Sequence, residues 1–239
     1  MIGFNHLGRH GRLGNQMFQY AGLRGIAAKH GYEFCIPPSD FQDQWMDHQL
    51  FEAFKLPGLT NIAVCPGPYV QEEHFHFDQN LFDRMPDGHN VYGYLQSEKW
   101  FKHIESEIRE DFEFKNNIKE PCQEMIGSVD RPIALHVRRG DYITNCDNHP
   151  PCSKDYYDRA LSHFDSDRTV VVFSDDPAWC NEQFEDDRFL ISEGGDNVAD
   201  LCMMSLCHDF IIANSSFSWW GSWLSTNPHK KIIAPNRWF

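Results

Sequence analysis

The sequence predicts an α/β protein with a doubly wound parallel sheet in its second half. From residue 133 onward, short apolar runs rich in Val, Ile and Phe alternate with segments of helical periodicity. Several of these runs stop at clusters of polar and charged residues, as parallel strands do at the ligand-binding edge of an open sheet. A strand–helix–strand pattern with a glycine-rich first turn also opens the chain, over residues 1–36.

The composition is that of a globular protein with an acidic surface. The chain has 239 residues, 41% hydrophobic and 23% charged, which suffices for one large domain or two small ones. The formal net charge of −14 argues against a nucleic-acid partner or an anionic membrane surface. Two adjacent arginines in such an acidic chain, Arg138 and Arg139, therefore indicate a site for a specific small anion.

The cysteines and the apolar runs bear on metal binding and location. The eight cysteines contain no Cys-x-x-Cys pair, which argues against a structural zinc site. Cys146 and Cys152 flank a short loop, and whether they form a disulfide is left open. No signal peptide and no apolar run of about 18 residues is recognisable. We therefore expect a cytoplasmic protein without stable membrane insertion, whose oligomeric state the sequence leaves open.

The first predicted unit runs from a strand at residues 1–4 through a helix at residues 16–30 to a strand at residues 32–36. Asn15 is the predicted N-cap of this helix, and Gly31 is the predicted residue that ends it. The glycines before the helix lack the spacing of a dinucleotide-binding turn.

The turn before this helix is a candidate ligand site. We expect Gly14 and the side-chain amides of Asn15 and Gln16, at the helix start, to hold a polyhydroxylated or anionic ligand. A glycine-rich turn that only caps the helix is the alternative.

The middle of the chain is the least regular part. Residues 37–90 show no sustained period, although the alternation over residues 74–78 predicts an edge strand. A strand is predicted at residues 90–96, followed by a helix that Ser97 caps and that runs to residue 110. Residues 112–130 are the predicted linker between the two halves.

The second half repeats strand and helix regularly, which predicts right-handed parallel crossovers. The predicted strands cover residues 133–136, 169–173, 189–191, 210–213 and 232–234. The predicted helices cover residues 153–164, a segment that starts at Pro177, and residues 196–207 and 217–225.

Three of these strands end in polar clusters, at residues 136–141, 174–176 and 214–218. Because parallel strands present their carboxyl ends on one side, we expect the clusters to meet at one edge of the sheet. The arginine pair and a Ser-Ser turn at a helix start suit phosphate, whereas a carboxylate such as Asp175, Asp176 or Asp200 suits the amino edge of guanine. Alternatively, the adjacent carboxylates of residues 175 and 176 cap a helix or bind a divalent metal, although no further oxygen ligands cluster nearby.

Four sequence blocks resemble the signature blocks of the α-1,2-fucosyltransferases, glycosyltransferase family eleven. They occur in the family's order, over residues 11–224: GRLGNQMFQYA at 11–21, HVRRGD at 136–141, FSDD at 173–176 with Trp179, and NSSFSWWG at 214–221 with Trp223 and Leu224. The resemblance implies a GT-B-like fold of two Rossmann-type lobes. An acceptor-binding lobe would span residues 1–115, and a lobe that binds the GDP-sugar would span residues 125–239.

The resemblance also implies an activity: inverting transfer of L-fucose from GDP-fucose to the 2-hydroxyl of a galactose-containing glycan, with no metal and no other cofactor. By similarity, Arg138 holds the β-phosphate, His136 and Asp200 contact the guanine side, and Ser215 or Ser216 reaches the pyrophosphate. The residues expected to bind substrate are Gly14, Asn15, Gln16, Arg139, Ser174, Asp175, Asp176, Asp200, Asn214, Ser215, Ser216 and Phe217.

The catalytic group is expected to comprise Arg138, His136 and Asp141. Asp141 and His136 are candidate general bases, and carboxylates or a histidine from the first half, Glu72, Glu73 and His76, are others. A salt bridge that orients one of the arginines is the favoured role of Asp141. Three alternative functions stay open: an inactive glycan-binding protein with the same fold, a transferase of another GDP-sugar, and a metal-dependent transferase using the carboxylates of residues 175 and 176.

Overall fold

Each half of the chain contains a five-stranded parallel sheet with helices packed around it. The structure, a computed structural model, describes residues 1–41 and 48–238. The chain divides into two units, Met1–Lys115 and Asn116–Phe239. Within the described residues, no helix combines the length and the apolar character needed to cross a bilayer.

The N-terminal unit has the strand order β3-β2-β1-β5-β4. Its strands are β1 (Ile2–Gly3), β2 (Phe34–Ile36), β3 (Asn61–Ile62), β4 (Tyr69–Gln71) and β5 (Asn90–Tyr92). Its helices are α1 (Leu13–His30), α2 (Leu50–Ala53), α3 (Gln79–Arg84) and α4 (Glu105–Asp111), and 3₁₀ turns lie at Glu98–Trp100 and Lys102–Ile104.

Helix α1 begins earlier than the sequence predicts. Its N-cap is Arg12, which gives no side-chain cap, so the prediction that Asn15 caps the helix is wrong. Asn15 lies inside the first turn, where its amide donates to the carbonyl oxygen of His10 at 3.3 Å. The predicted end of the helix is confirmed, because Gly31 takes the left-handed conformation (φ 67°) that favours glycine.

Two predictions in the middle of the chain are wrong. Residues 74–78 form no strand, because Asp78 caps α3 by accepting from the backbone N–H groups of Asn80 and Leu81, and β4 lies before this segment. The single helix predicted after Ser97 is broken into two 3₁₀ turns and α4. Trp100 and Phe101 are consecutive and both fully buried. Consecutive residues of a helix point in different directions, so one straight helix cannot bury both on the same face. The helix is therefore interrupted at Phe101.

Residues 112–130 do not form a linker. Helix α5 (Asn116–Gly127) occupies most of this segment and belongs to the second unit. Cys122 and Ile126 are its buried residues, and the Cys122 thiol donates to the carbonyl oxygen of Ala199 at 3.7 Å. These two buried residues are four positions apart, as residues on one face of a helix are. The prediction of a linker did not take this spacing into account.

The C-terminal unit has the strand order β10-β9-β6-β7-β8, with every pair parallel. Its strands are β6 (Ile133–Val137), β7 (Val170–Ser174), β8 (Phe189–Ile191), β9 (Asp209–Ile211) and β10 (Ile232–Ile233). Its remaining helices are α6 (Gly140–Thr144), α7 (Lys154–Leu161), α8 (Pro177–Gln183), α9 (Asn197–Leu206) and α10 (Ser216–Leu224).

Alternate residues of β6 enter two different cores. Ile133 and Leu135 pack with side chains of α7 and α8, whereas Ala134 packs with Ile126 of α5 and Met204 of α9. Helices therefore cover both faces of the sheet, which confirms the predicted doubly wound arrangement. The strand order reverses beside β6, because the chain reaches β7 and β8 on one side and β9 and β10 on the other. Ligands bind at such a switch point, outside the carboxyl ends of the strands.

Candidate functional site

The polar clusters after β6, β7 and β9 meet at one edge of the C-terminal sheet, as predicted. Strand β6 pairs in parallel with both neighbours, so all three strands end on the same side. The hydroxyl of Tyr142, just after β6, donates to the carbonyl oxygen of Asn214, just after β9, at 2.9 Å. The sequence reading missed Tyr142, although it directly follows the block at residues 136–141.

Arg138 is held between two carboxylates. One terminal nitrogen lies 2.5 Å from Asp141 Oδ1 and the other lies 2.9 Å from Asp175 Oδ2. The guanidinium also lies 5.4 Å from the centre of the Tyr142 ring. The favoured prediction for Asp141, a salt bridge to one of the arginines, is confirmed. These contacts fix the position of the cation before any ligand binds, while the guanidinium, with five N–H donors, keeps donors for phosphate oxygens.

Arg139 is tied to the end of β7. Its Nε lies 3.0 Å from Asp176 Oδ2, and its guanidinium stacks 4.3 Å from the Trp179 ring centre. Asp176 also caps α8 by accepting from the backbone N–H of Trp179, so the capping alternative is correct for this residue. Asp175 accepts from the backbone N–H of Arg139 at 2.8 Å. Each carboxylate of the Asp175–Asp176 pair is thus already opposite a guanidinium, which disfavours its use as a cation site.

His136 is buried near the carboxyl end of β6. Its ring is 5% exposed and lies 5.4 Å from the Phe217 ring. Burial, followed by the nearby charge of Arg138, lowers the pKa of His136 to about 3. The burial and the neighbouring cation both favour the neutral imidazole, and the role of His136 as general base stays a prediction. Its buried Nδ1 has no hydrogen-bond partner among the described residues, and contact with a nucleotide base stays a prediction.

The turn after β9 is built by its own side chains. Asn214 is 2% exposed, and its amide donates to the carbonyl oxygens of Pro150 (3.1 Å) and Trp238 (3.0 Å). The Asn214 side chain thus holds two neighbouring segments in place, and its contact with a substrate stays a prediction. Ser215 caps α10 by accepting from the backbone N–H of Phe217, and Ser216 is the first residue of that helix. Contact of either serine with a pyrophosphate stays a prediction.

The other two predicted residues of this half lie at the β7 and β8 ends. Ser174 Oγ accepts from the backbone N–H of Asp176 at 2.9 Å and so shapes the turn after β7. Asp200, on α9, accepts from Ser192 Oγ at 2.6 Å, just after β8. Burial raises the pKa of Asp200 above its ordinary value. Guanine contact by Asp200 stays a prediction, and Ser192 is a neighbour that the sequence reading did not identify.

The predicted residues of the first half are turned inward. Gln16 is fully buried, donates to the carbonyl oxygen of Gly11 (3.3 Å) and accepts from the backbone N–H of Gln49 (2.9 Å). Asn15 Oδ1 accepts from Gln96 Nε2 at 2.7 Å. Gly14 is buried. These amides bind the chain's own loops and so order the residues after β1, and contact of Gly14, Asn15 and Gln16 with a substrate stays a prediction.

For the GDP site that the family resemblance implies, we expect Gly140→Ala to weaken GDP binding about tenfold, the effect of disturbing one charge-assisted hydrogen bond. A Cβ at Gly140 would lie 2.4 Å from Asp175 Oδ2, the oxygen that contacts Arg138, so this contact is disturbed when the atoms shift apart. Isothermal titration calorimetry with GDP measures the effect. Gly127→Ala is the matched control, because a Cβ there meets nothing within 4 Å. Equal GDP affinity for both variants would show that the Asp175–Arg138 contact is not needed.

Comparison with known proteins places these blocks in a family. The sequence profile of "Glycosyl transferase family 11" matches residues 66–238. The chain is 30% identical to "O-antigen biosynthesis glycosyltransferase WbnK" of Escherichia coli, over 96% of this chain and 93% of that protein. It is 28% identical to "Alpha-1,2-colitosyltransferase" of Escherichia coli (96% and 90%). It is 25% identical to "Galactoside alpha-(1,2)-fucosyltransferase 2" of Sus scrofa (90% and 68%).

Solved structures share the fold. POFUT1 in complex with GDP-fucose superposes with a TM-score of 0.60 at 14% identity, over 97% of each chain. The NodZ α-1,6-fucosyltransferase soaked with GDP-fucose superposes with a TM-score of 0.61 at 13% identity, over 93% of this chain and 92% of that chain. Together with the two parallel sheets, this similarity confirms the predicted GT-B-like class.

Proposed function

Because the chain belongs to glycosyltransferase family 11, we propose that it transfers L-fucose from GDP-fucose to the 2-hydroxyl of a galactose-containing glycan. The transfer inverts the anomeric carbon and uses no metal. The C-terminal unit binds the GDP-sugar, and the N-terminal unit binds the acceptor.

The observation that carries this proposal is the fixed position of Arg138 at the switch point of the C-terminal sheet. As the bond between fucose and GDP breaks, negative charge develops on the β-phosphate. A cation that is already held in place stabilises this charge without having to reorganise, which is the usual source of large rate effects. Asp141 and Asp175 hold the guanidinium, and Arg139 adds a second positive charge beside it.

The same geometry supports metal independence. In a metal-dependent transferase, carboxylates bind the cation that neutralises the diphosphate. Here, the two carboxylates after β7 face guanidinium groups, which supply that positive charge directly. A guanidinium group, unlike a metal ion, supplies this charge as a permanent part of the protein.

A second candidate donor is a GDP-sugar other than GDP-fucose. The chain is 28% identical to the α-1,2-colitosyltransferase over 96% of its length, slightly more than the 25% identity to the pig galactoside fucosyltransferase. Colitose is fucose without its 3-hydroxyl group. Comparing the turnover of GDP-fucose with that of GDP-colitose therefore tests whether the site requires a hydrogen bond to that hydroxyl.

A donor and acceptor screen tests the proposal. The protein is incubated with lactose and, in turn, GDP-fucose, GDP-colitose, GDP-mannose and UDP-galactose, with and without EDTA, and released nucleotide and products are measured. We expect a fucosylated trisaccharide, full activity in EDTA, and an NMR spectrum with an α-linkage to the galactose 2-position. Faster turnover of GDP-colitose would select the second candidate. Lactose binding without turnover of any donor would support an inactive glycan-binding protein instead.

A further inference from the structure

The carboxyl edge of the N-terminal sheet carries a cluster of rings outside the donor site. The strand order of this sheet reverses between β1 and β5, because the chain places β2 and β3 on one side of β1 and β5 and β4 on the other. Side chains from the loop after β1 and from the end of β5 meet there. The ring cluster consists of His6, His10, Tyr69, Tyr92 and Tyr94.

The rings of this cluster are close enough to form one surface. The His6 ring lies 4.8 Å from Tyr69 and 5.1 Å from Tyr92, and the His10 ring lies 4.8 Å from Tyr92 and 5.8 Å from Tyr94. Phe75 lies 5.9 Å from Tyr94 and is 71% exposed. Burying such a ring against a ligand is favourable, and aromatic faces suit the C–H face of a sugar.

A buried carboxylate lies behind these rings. Glu72 directly follows β4, and its Oε2 accepts from the backbone N–H groups of Tyr94 (2.8 Å) and Leu95 (3.1 Å). Its other oxygen, Oε1, is buried and has no hydrogen-bond partner among the described residues. The same holds for Nε2 of His10. Buried polar atoms without partners are rare and costly, so two of them on residues that both lie beside Tyr94 indicate groups that a ligand completes.

We propose that the ring cluster, with Glu72 and Phe75, is a subsite for the galactose-type residue of a saccharide. Tyr94 and Phe75 contact the apolar face of the sugar, Glu72 Oε1 accepts a hydrogen bond from one sugar hydroxyl, and His10 Nε2 pairs with another. Both polar atoms are covered without ligand, so a neighbouring segment has to move when the sugar enters, and we assign this movement to residues 73–76, which are exposed and directly follow Glu72. The identity of this sugar as galactose and its role as the acceptor rest on the proposed function, whereas the presence of a saccharide site does not.

Lactose binding to the full chain tests the subsite without any donor. Saturation-transfer NMR and calorimetric titration are carried out on the wild type, Phe75→Ala and Glu72→Gln. We expect the galactose protons of lactose to receive saturation in the wild type, and affinity to fall at least tenfold in both variants. Glu72→Gln keeps one side-chain oxygen for the backbone N–H groups of Tyr94 and Leu95 but removes the second acceptor. A melting temperature and a GDP affinity equal to those of the wild type show that each variant is folded.

Ile62→Ala is the matched control, because Ile62 is also an exposed apolar side chain (57%, against 71% for Phe75) and lies on β3, at the opposite edge of the same sheet. Its lactose affinity should equal that of the wild type. Equal lactose affinity in Phe75→Ala and Glu72→Gln, or no lactose binding by the wild type, would overturn the subsite.

The donor assay separates this proposal from the preceding one. In one outcome, the wild type binds lactose, both variants lose this binding, and the wild type does not turn over GDP-fucose. That outcome would support the subsite and overturn the proposed donor. Turnover of GDP-fucose with the same KM for lactose in the wild type and both variants would support the proposed function and overturn the subsite.

Discussion

Arg138→Ala should reduce the kcat of fucose transfer by about 10²–10³, the usual loss when one fixed electrostatic donor is removed from an active site. The loss should appear mainly in kcat, because the charge that Arg138 neutralises develops as GDP departs. Arg138→Lys should recover only part of the rate. Lysine keeps the positive charge, but its single ammonium group cannot contact Asp141 and Asp175 at once. It also lacks the planar fork of N–H groups that a guanidinium presents to phosphate. Steady-state kinetics with GDP-fucose and lactose measures both variants.

Arg159→Ala controls for loss of one positive charge, because Arg159 is exposed on α7 of the same unit. It should keep the wild-type rate. Circular dichroism and thermal melting should show that Arg138→Ala is folded. If Arg138→Ala kept its turnover within about threefold of the wild type, a difference of well under 1 kcal/mol, the leaving-group role would have to be assigned to another residue.

Asp111→Ala should lower the free energy of unfolding of the N-terminal unit by about 3–5 kcal/mol, the cost of leaving a buried charge without its partner. Asp111 is fully buried and pairs with Arg24, whose side chain is 15% exposed. It also accepts from the Tyr20 hydroxyl (2.6 Å) and the backbone N–H of Gly58 (2.7 Å). Without the carboxylate, the hydroxyl and the backbone N–H lose this acceptor, and Arg24 loses its charged partner and keeps the carbonyl oxygen of Glu107 (3.1 Å).

Urea denaturation followed by hydrogen–deuterium exchange of peptides from α1 and from residues 55–60 measures this loss in the N-terminal unit. Asp83→Ala is the control, since Asp83 pairs with Lys29 at the surface of the same unit (3.1 Å) and should change stability little. Similar stabilities for the two variants would mean that the Asp111 network is not a main source of stability. Unchanged exchange of peptides from the C-terminal unit would show that the effect is local.

The C-terminal unit was largely predictable from the sequence because its signals are local. Apolar runs such as Val170–Ser174 form central strands buried on both faces, and several of the helices start at a side-chain cap, such as Ser153, Asp176 or Ser215. Apolar runs and capping residues act over a few positions, so they can be read without the fold. Helix α5 was missed because its buried stripe contains only Cys122 and Ile126.

The N-terminal unit was less predictable because its elements are short and depend on distant partners. Strands β1 and β3 have two residues each, which is too few for a periodic pattern. Asn15 and Gln16 have the chemistry of ligand-binding residues, yet their amides are used by Gly11, Gln49 and Gln96. Only the folded chain shows which polar side chains remain for a substrate.

By itself, the sequence determined the family, through four ordered blocks, and the edge of the sheet on which Arg138 would lie, because parallel strands all end on one side. The tertiary structure decided how that arginine is held. Asp141 is three residues away along the chain, but Asp175 follows a different strand, and the two reach the same guanidinium only after β6 and β7 have paired. Contacts between residues so far apart leave no local pattern in the sequence, because they are set by the pairing of strands.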